Sequence, residues 1–227
     1  LQCQRTCKLL NRAMTVGRVD AIVVSTDKNF LVPVGGALVL SPSSNVIQKV
    51  SKTYAGRASG SPIVDLFITL LSMGMAGYKK LLEERQSILN TFPERLAQVA
   101  ESYGERLLKC DSNTISFGIT LDGLARPRND DDDKDETAYL NAIEKEISKF
   151  GAMLFSRCVS GTRVVSRGIT KTMGPETFVG FGSSHDSYPH AYMTAACAIG
   201  LTETEFSDFL KRLDKTLQEF KKKQSHQ

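Results

Sequence analysis

The sequence predicts a mixed α/β fold, and three patterns predict it. A short apolar run at residues 19–24 is rich in β-branched side chains, which is typical of a strand. Residues 114–121 alternate apolar and polar side chains, as a half-buried strand does. In residues 140–150 and 206–220 apolar side chains recur at intervals of three and four, which indicates amphipathic helices. Strands and helices therefore both contribute to the fold.

The first elements are a helix, a strand and an irregular segment. Helical spacing over residues 3–14 predicts a helix that ends near Gly17. The run at residues 19–24 has no polar face, so we expect a strand that is buried on both sides. Residues 30–40 are interrupted by Pro33 and by a glycine pair, which predicts a loop followed by a second strand.

Helices fill the centre of the sequence. Ser61 followed by Pro62 is a typical helix start, with the hydroxyl as the N-cap and the proline in the first position. Residues 63–75 are apolar nearly all round, so this helix is expected to be buried. Residues 78–100 continue as an amphipathic helix with a break at Pro93.

The second half combines a small sheet with three helices. Weak alternation at residues 159–165 and 177–181 adds two strands to the one at 114–121. The helix over residues 140–150 is expected to end at Gly151 as its C-cap. Two final helices are predicted, one over 191–199 closed by Gly200, and one that begins with the Thr202-x-x-Glu205 capping box.

Composition excludes several classes of protein. The net charge of +4 over 227 residues is too small for a histone-like nucleic-acid binder. The five cysteines form no CxxC pair and the three histidines are scattered, so no metal site is expected. No apolar run reaches the roughly 18 residues of a spanning helix. We therefore expect a reduced, cytoplasmic protein without membrane contact, in which the acidic run around Asp130 is a solvated loop.

Lys28 is the clearest candidate for a reactive side chain. It follows a strand and a Ser-Thr-Asp turn and precedes Pro33 and the glycine pair, so its amine could be held in an interior cleft. Burial disfavours an ammonium ion, and a free amine attacks an aldehyde to form an imine. On the local pattern alone, the favoured interpretation is a lysine that points to solvent.

Long motifs give the sequence a family resemblance. DKNFLVPVGGA at residues 27–37, YAGRASGSP at 54–62, LLSMGMAGYKKLLEER at 70–85, LFSRCVSGTRVVS at 154–166 and YPHAYMTAACAIG at 188–200 carry it. Together they resemble the O-phosphoseryl-tRNA(Sec) selenium transferases, also called selenocysteine synthases. The likeness covers nearly the whole chain apart from the acidic insert.

The resemblance implies a fold and a division into domains. The family is similar to the fold-type I, aminotransferase-like pyridoxal-phosphate enzymes, which have a large α/β domain and a smaller α+β domain. Residues 1–100 would then be the end of the large domain with a connecting helix, and residues 101–227 the small C-terminal domain. The resemblance also implies a C-terminal fragment of a homotetramer.

The resemblance implies a reaction as well. Lys28 would be the catalytic lysine that binds pyridoxal 5′-phosphate and removes the α-proton of the phosphoseryl group on tRNA(Sec). Phosphate would leave, and selenophosphate would supply selenium to give selenocysteinyl-tRNA(Sec). Arg57, in the GRAS segment, would bind the substrate phosphate, because a guanidinium makes two charge-assisted hydrogen bonds to a phosphoryl group.

Two further residues are implied to contact tRNA. Arg157 would read the acceptor end, where an arginine can bind a guanine edge with two hydrogen bonds. Lys222, in the lysine triplet that ends the last helix, would contact a phosphate. Thr15 stands where relatives carry an arginine, which puts one tRNA contact in doubt; Arg12 or Arg18 could compensate.

Other functions remain open from the sequence. The chain could belong to another fold-type I pyridoxal-phosphate lyase or sulfur transferase, or it could be a non-catalytic fragment that binds tRNA or drives oligomerisation. His185, His190 and Cys158 have no spacing partner that points to catalysis, so we expect them to be structural or exposed.

Overall fold

The chain divides into two compact units, Leu1–Lys80 and Leu81–Gln227. This computed structural model describes residues 2–54, 56, 59–125, 134–183 and 185–224. The sequence placed the division near residue 100, whereas the contacts divide the chain earlier. The reason is that Ile88, Phe92 and Leu96 are buried in the core of the second unit, so the helical segment before residue 100 packs there.

The first unit contains a two-stranded sheet and helices. Its elements are α1 (Gln2–Val16), β1 (Ile22–Ser25), α2 (Thr26–Asn29), β2 (Ala37–Leu40), α3 (Ser44–Thr53) and the start of α4 (Ser61–Leu89). The strands pair antiparallel, with Ile22 opposite Leu40. Helix α1 and strand β2 confirm the sequence prediction, whereas α3 was not predicted.

Two expectations about burial in the first unit were wrong. Val23 on β1 is 68% exposed, because in the described residues its face of the two-stranded β1-β2 ladder is open to solvent, whereas Ile22 and Val24 on the other face are half-buried. Phe67 and Leu71 on α4 are also exposed, so the apolar helix is not a buried one. The helix starts differently too: the Ser59 hydroxyl accepts from the Ser61 N–H at 3.2 Å, in place of a Ser61 cap.

The apolar character of α4 has a second consequence. Gly74 interrupts the helix with φ 63° and ψ 179°. Even so, the helical stretch 61–101 contains an 18-residue window with a mean hydropathy of 1.3, so by length and composition alone it could cross a membrane. This differs from the expectation that no run would qualify, and the window is not buried inside the described structure.

The second unit packs three helices against an antiparallel sheet. The helices are α5 (Phe92–Glu101), α6 (Glu136–Ser156) and α7 (Glu203–Gln224). The strands are β3 (Leu107–Leu108), β4 (Ser116–Thr120), β5 (Arg163–Val165), β6 (Thr170–Met173), β7 (Glu176–Val179) and β8 (Tyr192–Ala196). The sheet order is β3-β4-β8-β5, and β6-β7 is a separate hairpin.

The core of the second unit lies between the sheet and its helices. Helix α5 contacts β4, α6 contacts β5, and α7 contacts both helices. Phe92, Phe150 and Phe206 are among the largest fully buried side chains. The predicted break at Pro93 is confirmed, since this proline lies in the first turn of α5. The capping box is also confirmed, because the Thr202 hydroxyl accepts from the Glu205 N–H at 3.2 Å.

Two element assignments in the second unit were wrong. The predicted helix over residues 191–199 is instead the central strand β8, in which Met193 and Ala195 are buried between two neighbouring strands. Gly151 does not end its helix but lies inside α6. A Cβ at Gly151 would lie 3.4 Å from the Val164 side chain, so the glycine allows α6 to lie close to β5.

Candidate functional site

Two hydrogen bonds from Thr26 to Gly36 hold the segment around Lys28 in place. Helix α2 is a single turn that follows β1 directly. The buried Thr26 donates its backbone N–H and its hydroxyl to the Gly36 carbonyl, at 3.1 and 2.9 Å. A Cβ at Gly36 would lie 2.6 Å from the Thr26 hydroxyl and 2.7 Å from Pro62, so only glycine fits here. The Lys28 turn is therefore fixed against the loop that carries the glycine pair.

The Lys28 amine is accessible and paired with its neighbour. Its Nζ donates to Asp27 Oδ2 at 2.5 Å, and the lysine side chain is 74% exposed. The hydrogen bond from Lys28 is the main cause that lowers the pKa of Asp27, and a bond from the Ser25 hydroxyl also contributes. The expected burial in an interior cleft was wrong for this chain, because most of the Lys28 side chain lies in solvent.

The described residues fit the amine half of a pyridoxal-phosphate site. Such a site needs a primary amine that the cofactor aldehyde can reach, and Lys28 supplies one on a fixed turn. Arg57, the expected phosphate ligand, lies outside the described residues, as does most of the acidic run 129–136.

Arg157 is held between two helices of the second unit. It follows the last turn of α6, where its NH1 group donates to the Met153 carbonyl at 3.0 Å. Its NH2 group donates to the Glu219 carboxylate on α7. Lys222 lies three residues further along α7 and is exposed. The structure thus brings the two expected tRNA contacts to the same end of the helix pair.

The possible compensating residues for Thr15 are on or just after α1. Thr15 itself donates to the Asn11 carbonyl at 2.9 Å, and Arg12 is exposed. Arg18 is bound to Asp20 at 2.9 Å. Arg12 is therefore the less constrained of the two arginines.

A polar cluster around His190 was not predicted from the sequence. His190 Nδ1 lies 2.5 Å from Asp122, and its Nε2 lies 2.7 Å from the Arg106 guanidinium. An arginine only donates, so Nε2 accepts and Nδ1 carries the proton that is shared with Asp122. The partners are 68 and 84 residues away in sequence, so no spacing rule could have found them.

The described part of the chain contains no candidate metal site and no disulfide bond. No group of three or more histidine, cysteine or acidic side chains could hold a metal there. Cys7, Cys110, Cys158 and Cys197 are free thiols. His185 accepts from the backbone N–H of Ser187 at 3.1 Å, a local loop contact.

Comparison with known proteins gives a consistent result. The family model for O-phosphoseryl-tRNA(Sec) selenium transferase matches residues 1–218. The enzyme of that name from Dictyostelium discoideum is 42% identical over 218 residues, which are 95% of this chain and 45% of the relative. The one from Methanopyrus kandleri is 32% identical over 220 residues, 96% of this chain and 44% of the relative.

A solved structure agrees with this likeness. The crystal structure of an archaeal O-phosphoseryl-tRNA(Sec) selenium transferase matches with a TM-score of 0.67 and 28% identity, and the match covers 92% of this chain and 41% of that one. The predicted fold, part of a fold-type I pyridoxal-phosphate architecture, is thereby confirmed. The chain spans less than half the length of the curated relatives that it matches.

Proposed function

The chain belongs to the O-phosphoseryl-tRNA(Sec) selenium transferase family, and from this premise we propose that the full protein converts O-phosphoseryl-tRNA(Sec) to selenocysteinyl-tRNA(Sec). The selenium donor in this proposal is selenophosphate, and the cofactor is pyridoxal 5′-phosphate. Because the chain spans less than half of its relatives, the activity is proposed for the full-length protein that carries it.

The observation that carries the proposal is the accessible Lys28 amine on its fixed turn. Pyridoxal 5′-phosphate, when bound, supplies an electron sink that allows an α-proton to leave. Lys28 would hold the cofactor through Nζ, and once the α-amine of the phosphoseryl group has taken its place, the freed Nζ would remove the proton from Cα. Asp27 is positioned to accept a hydrogen bond from Nζ, and its lowered pKa keeps its carboxylate ionised for that contact.

The remaining roles concern substrate recognition. Arg57 binds the phosphoryl group of the substrate. Phosphate is a far better leaving group than hydroxide. Arg157 reads a guanine edge at the acceptor end of the tRNA, and Lys222 binds a phosphate of its backbone. Support for this division comes from the placement of Arg157 and Lys222 at one end of the α6-α7 pair.

Assembly and location are part of the same proposal. We propose a homotetramer, which agrees with the many exposed apolar side chains of the first unit, among them Phe67 and Leu71. A cytoplasmic location agrees with the unpaired thiols of Cys7, Cys110, Cys158 and Cys197 in the described residues, since a reducing compartment keeps such groups unpaired.

The test is a substrate comparison with the full-length protein. Phosphoseryl-tRNA(Sec) with selenophosphate should yield selenocysteinyl-tRNA(Sec), whereas free cysteine or free phosphoserine should give no product. Turnover of free cysteine would instead identify a sulfur transferase or lyase. Retained tRNA binding without bound cofactor and without turnover would identify a non-catalytic tRNA-binding protein.

A further inference from the structure

The Arg157 guanidinium is bound to a partner of opposite charge. Of its five N–H donors, one binds the Met153 carbonyl and another binds the Glu219 carboxylate, in the part of the chain that the structure describes. The two acceptors come from different helices, so the plane of the guanidinium is fixed from two sides. The side chain nevertheless remains 22% exposed, which leaves part of it accessible to a ligand.

Open space lies directly beside this pair. A cleft of about 400 Å³ between α6 and α7 is lined by Met153, whose carbonyl binds Arg157, and by Phe220, which follows Glu219 in the sequence. Lys149 and Lys223 line the same cleft, together with the single carboxylate of Glu146. An apolar floor with lysines at its edge suits an unstacked base whose phosphates lie outside.

Glu219 carries a full negative charge at this position. The hydrogen bond from Arg157 is the main cause that lowers the pKa of Glu219, and Lys215 and Lys223 lower it further. A phosphate that approaches Arg157 is therefore repelled by the adjacent carboxylate. The O6 and N7 atoms of guanine are neutral acceptors and meet no such repulsion.

We propose that Glu219 is a specificity residue that makes Arg157 bind a neutral guanine edge and reject phosphate. This inference rests on the proposed function, in which Arg157 reads the acceptor end. Glu219 acts in two ways: it orients the guanidinium, and it cancels the charge that would otherwise bind any phosphate. Lys222 has no carboxylate partner among the described residues, so it remains a phosphate contact without sequence preference.

The experiment measures binding of the full-length protein to tRNA with guanine or adenine at the acceptor end, from 50 to 200 mM salt. Wild type should prefer guanine, and Arg157→Ala should reduce that preference by roughly 5- to 150-fold. Glu219→Gln should bind both tRNAs more tightly, reduce the preference, and add about one counterion to the salt dependence. Glu219→Asp keeps the charge and should retain the wild-type salt dependence.

Asp208→Asn is the matched control, because it removes one negative charge from the same helix roughly 16 Å away along the axis. It should change neither the preference nor the salt dependence. The inference fails if Glu219→Gln keeps the wild-type preference and salt dependence while Arg157→Ala loses the preference. If Arg157→Ala changes neither quantity, the proposed tRNA contact of Arg157 is itself wrong. Equal melting temperatures for all variants separate these effects from unfolding.

Discussion

The Phe92 and Phe206 rings stack with their centroids 4.3 Å apart and their planes within 8° of parallel. The contact joins the first residue of α5 to α7. The Arg95 guanidinium lies 4.5 Å from the centroid of the Phe206 ring, so this aromatic side chain is packed by α5 along much of its surface. The stack is therefore a central contact of the second unit.

Replacing Phe206 should destabilise the second unit. Phe206→Ala removes a fully buried ring and leaves a cavity, which should lower the free energy of unfolding by about 3 to 5 kcal/mol. Urea unfolding measures this loss. Phe155→Ala on α6, where the side chain is 73% exposed, is the matched control, and it should change the free energy by less than about 0.5 kcal/mol. Equal losses for the two variants would contradict the central role of the stack.

Local sequence signals predicted α7 well. Its capping box uses residues three positions apart, and its apolar stripe has a helical period, so both signals lie within one element. Strand β8 could not be recognised in this way. Its alanine-rich sequence favours a helix, and only pairing with β4 and β5, which are distant in sequence, makes it a strand.

The candidate site was also only partly predictable. The family resemblance predicts Lys28 as the cofactor lysine, but the exposure of its side chain depends on the surrounding fold, about which the motif carries no information. The Arg157–Glu219 pair joins residues 62 positions apart, so no local pattern could reveal it. Family motifs therefore identified single residues, whereas their partners required the fold.

The capping box should make stability depend on pH. The backbone N–H of Thr202 is the main cause that lowers the pKa of Glu205, and the Thr202 hydroxyl also contributes. A depressed pKa stabilises the fold above the ordinary glutamate pKa of about 4.3, and this contribution is lost as the pH falls through the folded-state pKa. Wild type should therefore be more stable than Glu205→Gln at pH 7.

Thermal unfolding at a series of pH values from 7 to 3 tests this. The difference between wild type and Glu205→Gln should shrink below about pH 4.3 and vanish in acid. Glu176→Gln on the exposed strand β7 is the control and should follow the wild-type profile. A constant difference over the whole range would show that charge on Glu205 does not contribute.

Lys28→Ala should abolish covalent cofactor attachment in the full-length protein. The variant lacks the only atom, Nζ, through which this residue holds the cofactor, whereas fold and tRNA binding should persist because the side chain is exposed. Borohydride reduction followed by peptide mapping locates the adduct. Lys52→Ala on α3 is the matched control and should keep both adduct and turnover. An adduct on the same peptide of the Lys28→Ala protein would assign the anchor to another lysine.

Arg57 should set the requirement for a phosphorylated substrate. Charge-assisted hydrogen bonds contribute about 1.5 to 3 kcal/mol each, so Arg57→Ala should lower turnover efficiency by one to several orders of magnitude. Arg57→Lys should recover only part, since it keeps the charge but not the two-point geometry. Single-turnover phosphate release at saturating tRNA measures this, and undiminished release from Arg57→Ala would contradict the role.

Lys222 should contribute to tRNA affinity without contributing to sequence preference. Its exposed ammonium can release about one counterion when it binds a phosphate, so Lys222→Ala should weaken binding of every tRNA and lower the salt slope by roughly 0.7 to 0.9. Lys211→Ala is the matched control, because Lys211 lies on the same helix and is bound to Asp208 at 3.3 Å. A loss that is larger for tRNA with guanine than for tRNA with adenine at the acceptor end would instead place Lys222 at a base.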